Sequence, residues 1–150
     1  MKTTILVLML SLFLCGTAAA QGGLVSVKSS HDVAVTANRL ESALKEKGVT
    51  LFARIDHAEG ARSIGQALKP TLLLIFGNPA LGTPLIQRSR TMGIDLPLKA
   101  LIWEDRSGQV WLSYNAPDYL ARRHGVTEMQ DVIQKMQQAL SNFATMATQP

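Results

Sequence analysis

Leu96–Tyr114, LPLKALIWEDRSGQVWLSY, is the stretch whose reading decides the fold class. Leu96–Glu104 and Gln109–Tyr114 carry the aliphatic and aromatic residues of strands, and Asp105-Arg106-Ser107-Gly108 joins them with a loop of hairpin length. A hairpin makes neighbouring strands antiparallel, which argues against an all-parallel, doubly wound sheet. Working outward toward the N-terminus, Thr71–Gln87 reads TLLLIFGNPALGTPLIQ. Its apolar run Leu72–Phe76, bounded by Pro70 and Gly77, is expected to be a strand buried on both faces. Gly77-Asn78-Pro79 then turns the chain. Thr83 suits an N-cap and Pro84 a first helical position, for a helix running to about Arg90 and stopped by Thr91-Met92-Gly93.

Further upstream, Leu24–Lys28 and Val49–Ile55 read as strands. Between them Val33, Ala37, Leu40 and Leu44 recur at helical spacing, with Ser29 and Ser30 as cap candidates and Gly48 as the stop. Asp56-His57-Ala58-Glu59 has the form of a capping box opening a helix through Leu68, which Gly60 and Gly65 weaken. Downstream of the hairpin, Asp118–Arg123 is a short helix stopped by Gly125. Thr127 and Gln130 form a second capping box before a last helix whose apolar face carries Ile133, Met136, Leu140 and Phe143. This order predicts an α+β domain: a mostly antiparallel sheet of about five strands with helices packed on one face.

The first twenty residues have the layout of a signal peptide: Lys2, an apolar Ile5–Leu14, and Ala18-Ala19-Ala20 before Gln21. Export to the periplasm or beyond is expected, leaving residues 21–150 as a single domain. The apolar run is about ten residues, half of what a bilayer span requires, so no stable membrane span is expected after cleavage. Leu14 is too bulky to precede a lipidated Cys15. Cys15 is the single cysteine, so disulfides, thiolate metal sites and cysteine nucleophiles are excluded from the processed chain. A net charge of +4 spread along the sequence, with 5 % aromatics, gives no basic and aromatic surface for nucleic acid.

Side chains able to carry chemistry are few. His57, after Asp56 at a strand-to-helix junction, is a candidate metal or haem ligand, or a general base oriented by that aspartate. His124 is a second candidate ligand, although its place near a helix C-terminus also accounts for it. His57, Asn78, Arg54 and Tyr114 are the candidate ligand-binding residues. Asn78 sits at a polar turn, Arg54 offers a cation, and Tyr114 ends a strand. No zinc-type histidine spacing, G-x-S-x-G, P-loop or dinucleotide fingerprint occurs. Asp56, Glu59, Glu104 and Asp105 all have turn or cap explanations, so no glycosidase-like carboxylate pair stands out.

Several strings together resemble a bacterial family called domain of unknown function 302. They are Phe52-Ala53-Arg54-Ile55-Asp56-His57, Phe76-Gly77-Asn78-Pro79 with Gly82-Thr83, Leu96-Pro97-Leu98-Lys99, Tyr114-Asn115-x-Pro117, and Ala121-Arg122-Arg123-His124-Gly125. Ala116 departs from an aspartate associated with that position, so no carboxylate role is carried over there. The resemblance implies a TATA-binding-protein-like architecture, β-α-β(4)-α with extra short helices, and no established activity. DNA binding does not follow from the architecture.

The preferred functional reading is a non-catalytic domain that binds a small molecule or a protein partner, with no cofactor. The second is a haem- or metal-binding protein using His57 or His124, the haem held non-covalently. The third is a small hydrolase or isomerase with His57 as general base. A homodimer through a sheet edge or the hairpin is also expected, because Trp103 and Trp111 flank that hairpin. If the strands before His57 and Asn78 run antiparallel, those two side chains lie at opposite ends of the sheet.

Overall fold

The computed structural model describes residues 22–150. The expected signal peptide, its expected cleavage site and Cys15 lie outside the described residues. In chain order the elements are β1 (Leu24–Lys28), α1 (Val33–Glu46), β2 (Thr50–Asp56), α2 (His57–Ser63), β3 (Thr71–Gly77), α3 (Pro79–Arg88), a 3-10 turn (Arg90–Ile94), β4 (Leu98–Glu104), β5 (Val110–Asn115), α4 (Pro117–Arg123) and α5 (Gln130–Thr148). The sheet order is β1-β5-β4-β3-β2, and every neighbouring pair is antiparallel. The expected α+β class and its five-stranded antiparallel sheet are therefore present.

Strand alternation gives the sheet two unlike faces. Leu72, Leu74 and Phe76 of β3, Ala100 and Ile102 of β4, and Leu112 and Tyr114 of β5 are buried against Ala37, Leu40 and Leu44 of α1 and Leu140, Phe143 and Ala144 of α5. The intervening Leu73, Ile75, Leu101, Trp103 and Trp111 are only half-buried on the opposite face. The expectation that β3 is buried on both faces is thus corrected. Both helices that cover the sheet pack on one side of it, so an apolar run in the sequence became an apolar strand with one covered face.

A second apolar cluster closes one end of the sheet. Leu85 of α3, Met92, Leu96, Leu120 and Ala121 of α4, Val126, and Ile133 and Met136 of α5 pack together there. Several boundaries differ from the sequence expectation for local reasons. Asp32, not a serine, caps α1 by accepting from Val35 N at 2.7 Å. The helix after β2 stops at Ser63 rather than Leu68, with Gly65 following at φ +72°. α3 begins at Pro79 under an Asn78 cap rather than at Pro84, which lies inside the helix. α5 starts after Met129 at φ 66° with no side-chain cap, so the Thr127–Gln130 box does not form. The C-terminal end of α5 is held by Arg39, whose guanidinium donates to the Met146 and Gln149 carbonyls.

Candidate functional site

Between the sheet core and the end cluster lies a half-open pocket of about 250 Å³. Its walls come from the C-terminal end of β3 (Phe76), the turn and first turns of α3 (Leu81, Ile86), the segment entering β4 (Leu96–Leu98), and α5 (Met136, Leu140, Phe143). Phe52, a bulged position on edge strand β2 and more than half exposed, stands at its rim. Two apolar clusters seeded on different elements meet there, and the seam is left unfilled. Gly77 lets the backbones close in: a Cβ there would sit 3.3 Å from Cβ of Pro97.

Polar groups at this cavity are sparse and specific. Asn78 Oδ1 accepts from Ala80 N at 2.9 Å and so caps α3. Its amide nitrogen makes no hydrogen bond among the described residues, and Asn78 is exposed at the cavity wall. Thr83 contributes the other polar side chain. No titratable side chain lines the space among the described residues. The arrangement offers apolar contact surface and one or two hydrogen bonds, with nothing placed to move a proton.

Asp95 and His124 brace the wall from behind. Asp95 immediately precedes Leu96, and its Oδ2 lies 2.5 Å from His124 Nε2. The other ring nitrogen, Nδ1, is 2.9 Å from Thr91 Oγ1. The imidazole is 6 % exposed, and Arg123 adds a longer contact to the same carboxylate oxygen at 3.5 Å. The pair fixes the end of α4 to the chain entering β4, so both sides of the end cluster are held in register.

The candidate residues read from sequence do not converge. Because β2 and β3 are antiparallel, with Thr50 opposite Gly77 and Asp56 opposite Leu72, His57 and Asn78 lie at opposite ends of the sheet. His57 is exposed in the first turn of α2, where Asp56 Oδ1 accepts from Glu59 N at 3.0 Å as the cap. Arg54 faces α1, bonded to Glu41 Oε1 at 2.5 Å and to Asn38 Oδ1 at 3.0 Å. Tyr114 is 5 % exposed in the main core, and burial raises its pKa. His124 shares the Asn78 end, far from His57. No group of three or more His, Cys, Asp or Glu is placed to hold a metal among the described residues. Scaling from a ~150 Å³ cavity that takes benzene, this cavity holds about ten non-hydrogen atoms, far fewer than a haem.

The cavity itself escaped the sequence reading, because Phe76, Leu96, Met136 and Phe143 look like any core residues. The one local signal was the density of Gly and Pro at Gly77, Pro79, Gly82 and Pro97, which marks close backbone approach. Two of the resembling strings, Phe76–Pro79 with Gly82-Thr83 and Leu96–Lys99, meet at this cavity, and a third contributes the brace through His124.

By fold and site the molecule is a one-sided α+β sandwich with an apolar chamber at one end of its sheet. The chain belongs to the family described as domain of unknown function DUF302, whose profile matches residues 25–143. The crystal structure of an uncharacterized conserved DUF302 protein from Bacillus stearothermophilus superposes with a TM-score of 0.75 at 18 % identity, covering 83 % of this chain and 98 % of that one. The chain is also similar to two proteins named fluoride-specific ion channel FluC 1. It is 51 % identical over 110 residues to the one from Brucella suis, covering 73 % of this chain and 43 % of that protein. Identity and length of match are the same for the one from Brucella abortus, with 41 % of that protein covered. The chain thus spans less than half the length of these curated relatives.

Proposed function

We propose that this is an exported, non-catalytic binding domain that takes a small apolar molecule into the chamber beside Asn78. The observation that carries the reading is the chamber's lining: mostly apolar, with Thr83 and Asn78 as its polar side chains, the Asn78 amide nitrogen unbonded among the described residues. Such a site selects a ligand of about ten non-hydrogen atoms, largely apolar, with an acceptor oxygen at one end to meet the Asn78 amide. The chemistry disfavours fluoride or any other anion as the occupant, because an ion desolvated among Leu, Ile, Phe and Met side chains has no compensating partner. Among the described residues no helix is long and apolar enough to cross a membrane. We therefore assign the channel activity named for the Brucella relatives to the part of their chains that this one does not match, with the shared part acting as a sensing or docking domain. The signal-peptide pattern supports delivery to the periplasm or the exterior.

Acetophenone, an aromatic ring with one carbonyl, is a suitable probe. Titration into ¹⁵N-labelled protein is expected to shift amides of Gly77, Asn78, Ala80–Gly82, Leu98 and Ala139–Phe143, with Kd near or below about 1 mM, which corresponds to about −4 kcal/mol. Ala139→Leu places a larger side chain on a wall residue and is expected to abolish those shifts while leaving the rest of the spectrum unchanged. Shifts centred on His57, or equal binding by the Ala139→Leu variant, would refute the reading.

A further inference from the structure

The uncovered face of the sheet carries an inference independent of the chamber. The register sets three rows across it: Lys28, Trp111, Trp103 and Thr71; then Ser26, Ser113, Leu101, Leu73 and Ile55; then Lys99, Ile75 and Ala53. Its apolar body is Ile55, Leu73, Ile75, Leu101 and the two tryptophans, all half-buried or exposed. The polar groups among them are already paired with one another. Trp103 Nε1 donates to Ser113 Oγ at 2.9 Å, Ser113 Oγ lies 2.7 Å from Ser26 Oγ, and Trp111 Nε1 donates to Asp105 Oδ2 at 2.9 Å. Covering this face therefore removes apolar surface from water without stranding an indole N–H or a hydroxyl. The two lysines sit at the margins, and the Lys99 ammonium is engaged by the Asp95 and Pro97 carbonyls at 3.1 and 2.9 Å.

We infer that this face is the interface between two copies of the chain, packed sheet against sheet about a twofold axis near Leu101 and Leu73. Those two residues are register partners in the middle row. A twofold there sets apolar centre on apolar centre and leaves both lysines of each copy at the rim, the self-complementary patch a closed dimer requires. Area supports this occupant. Five strands about 4.8 Å apart and six residues at about 3.4 Å each make a face of roughly 450–500 Å² in plan. Two copies thus withdraw on the order of 1,000 Å² in total, the size at which specific interfaces begin. Aligned packing of two twisted sheets about 10 Å apart is the standard geometry for such surfaces. The expected dimer is thus placed on the sheet face rather than on an edge or the hairpin alone.

The protein's two tryptophans both lie on this face, which makes the association directly readable. Light scattering of the protein as recovered from expressing cells, over 1–200 µM, is expected to give a dimer that dissociates on dilution. Tryptophan emission is expected to shift to the red over the same concentration range. Leu101→Glu is expected to weaken association at least 100-fold with an unchanged far-ultraviolet spectrum. If that variant fails to fold, the paired dilution curves of mass and emission in the unaltered protein decide the matter alone. A monomer at 200 µM with solvent-exposed emission overturns the inference. So does a monomer with shielded tryptophans, which would mean that another molecule covers the face. A dimer whose emission is insensitive to dissociation places the contact elsewhere and overturns it equally.

Discussion

The two ends of the sheet were built differently. At the His57 end, a wide depression of about 620 Å³ is lined by Asp32, Arg54, Asp56, Arg62 and Glu104 and lies open to water. Its charges are already used: Arg54 pairs with Glu41, Arg62 with Glu59 and Lys69 with Glu104. At the Asn78 end the chamber is less than half that size, apolar, and walled by two packed clusters. Residue chemistry draws the eye to the first end, yet its carboxylates and cations are spent on caps and on exposed ion pairs worth little each. The second end has almost no reactive groups and is where an apolar ligand gains most from leaving water. A good inventory of reactive side chains is thus a poor guide to which end of this domain can bind.

Substitutions sharpen that contrast in order of size. Leu140→Ala, at a buried position on the chamber wall, is expected to destabilise by about 2–5 kcal/mol in denaturant unfolding. Leu68→Ala, half exposed beyond α2, is expected to stay within about 0.5 kcal/mol. The histidines divide the same way. His124→Ala leaves the Asp95 carboxylate without its close partner and is expected to cost about 1–3 kcal/mol. His57→Ala, at an exposed position, is expected to be neutral within about 0.5 kcal/mol. A larger loss at His57 than at His124 would break the comparison.

Of the two carboxylate pKa values lowered among the described residues, the more strongly lowered lies at the polar end, the other belonging to Asp118 beside Arg122 on α4. Asp105, at the hairpin tip beside the His57 end, accepts from Ser107, Trp111 and Gln109, and these hydrogen bonds lower its pKa from 3.8 to about 2. A carboxylate with a depressed folded pKa adds stability that is complete above its unfolded value and is lost as pH falls from about 4 toward 2. Asp105→Asn is expected to flatten part of that decline in a melting-temperature series over this range. An unchanged slope would show that the hairpin carboxylate does not contribute.

Much of the fold was legible because it rests on short-range patterns. The hairpin Leu96–Tyr114 set strand direction, and the apolar periodicities of Val33–Leu44 and Ile133–Phe143 marked the two covering helices. Start points were less legible. Thr83-Pro84 and Asn78-Pro79 are equally good helix openings on paper, and the chain uses the earlier one. The one-sided burial of β3 depends on where α1 and α5 land, which no local pattern states. The site was the least legible part. Asp95 and His124 are 29 residues apart, and the chamber wall draws single residues from distant elements that read individually as core.

A crystal of the protein pressurised with xenon tests the central claim most directly, because the gas partitions into dry apolar space without needing a specific partner. The account predicts a xenon site among Phe76, Leu96, Met136 and Phe143, and none in the depression beside Arg54 and Asp56. A chamber filled by ordered water, or by its own side chains with xenon absent, would contradict it.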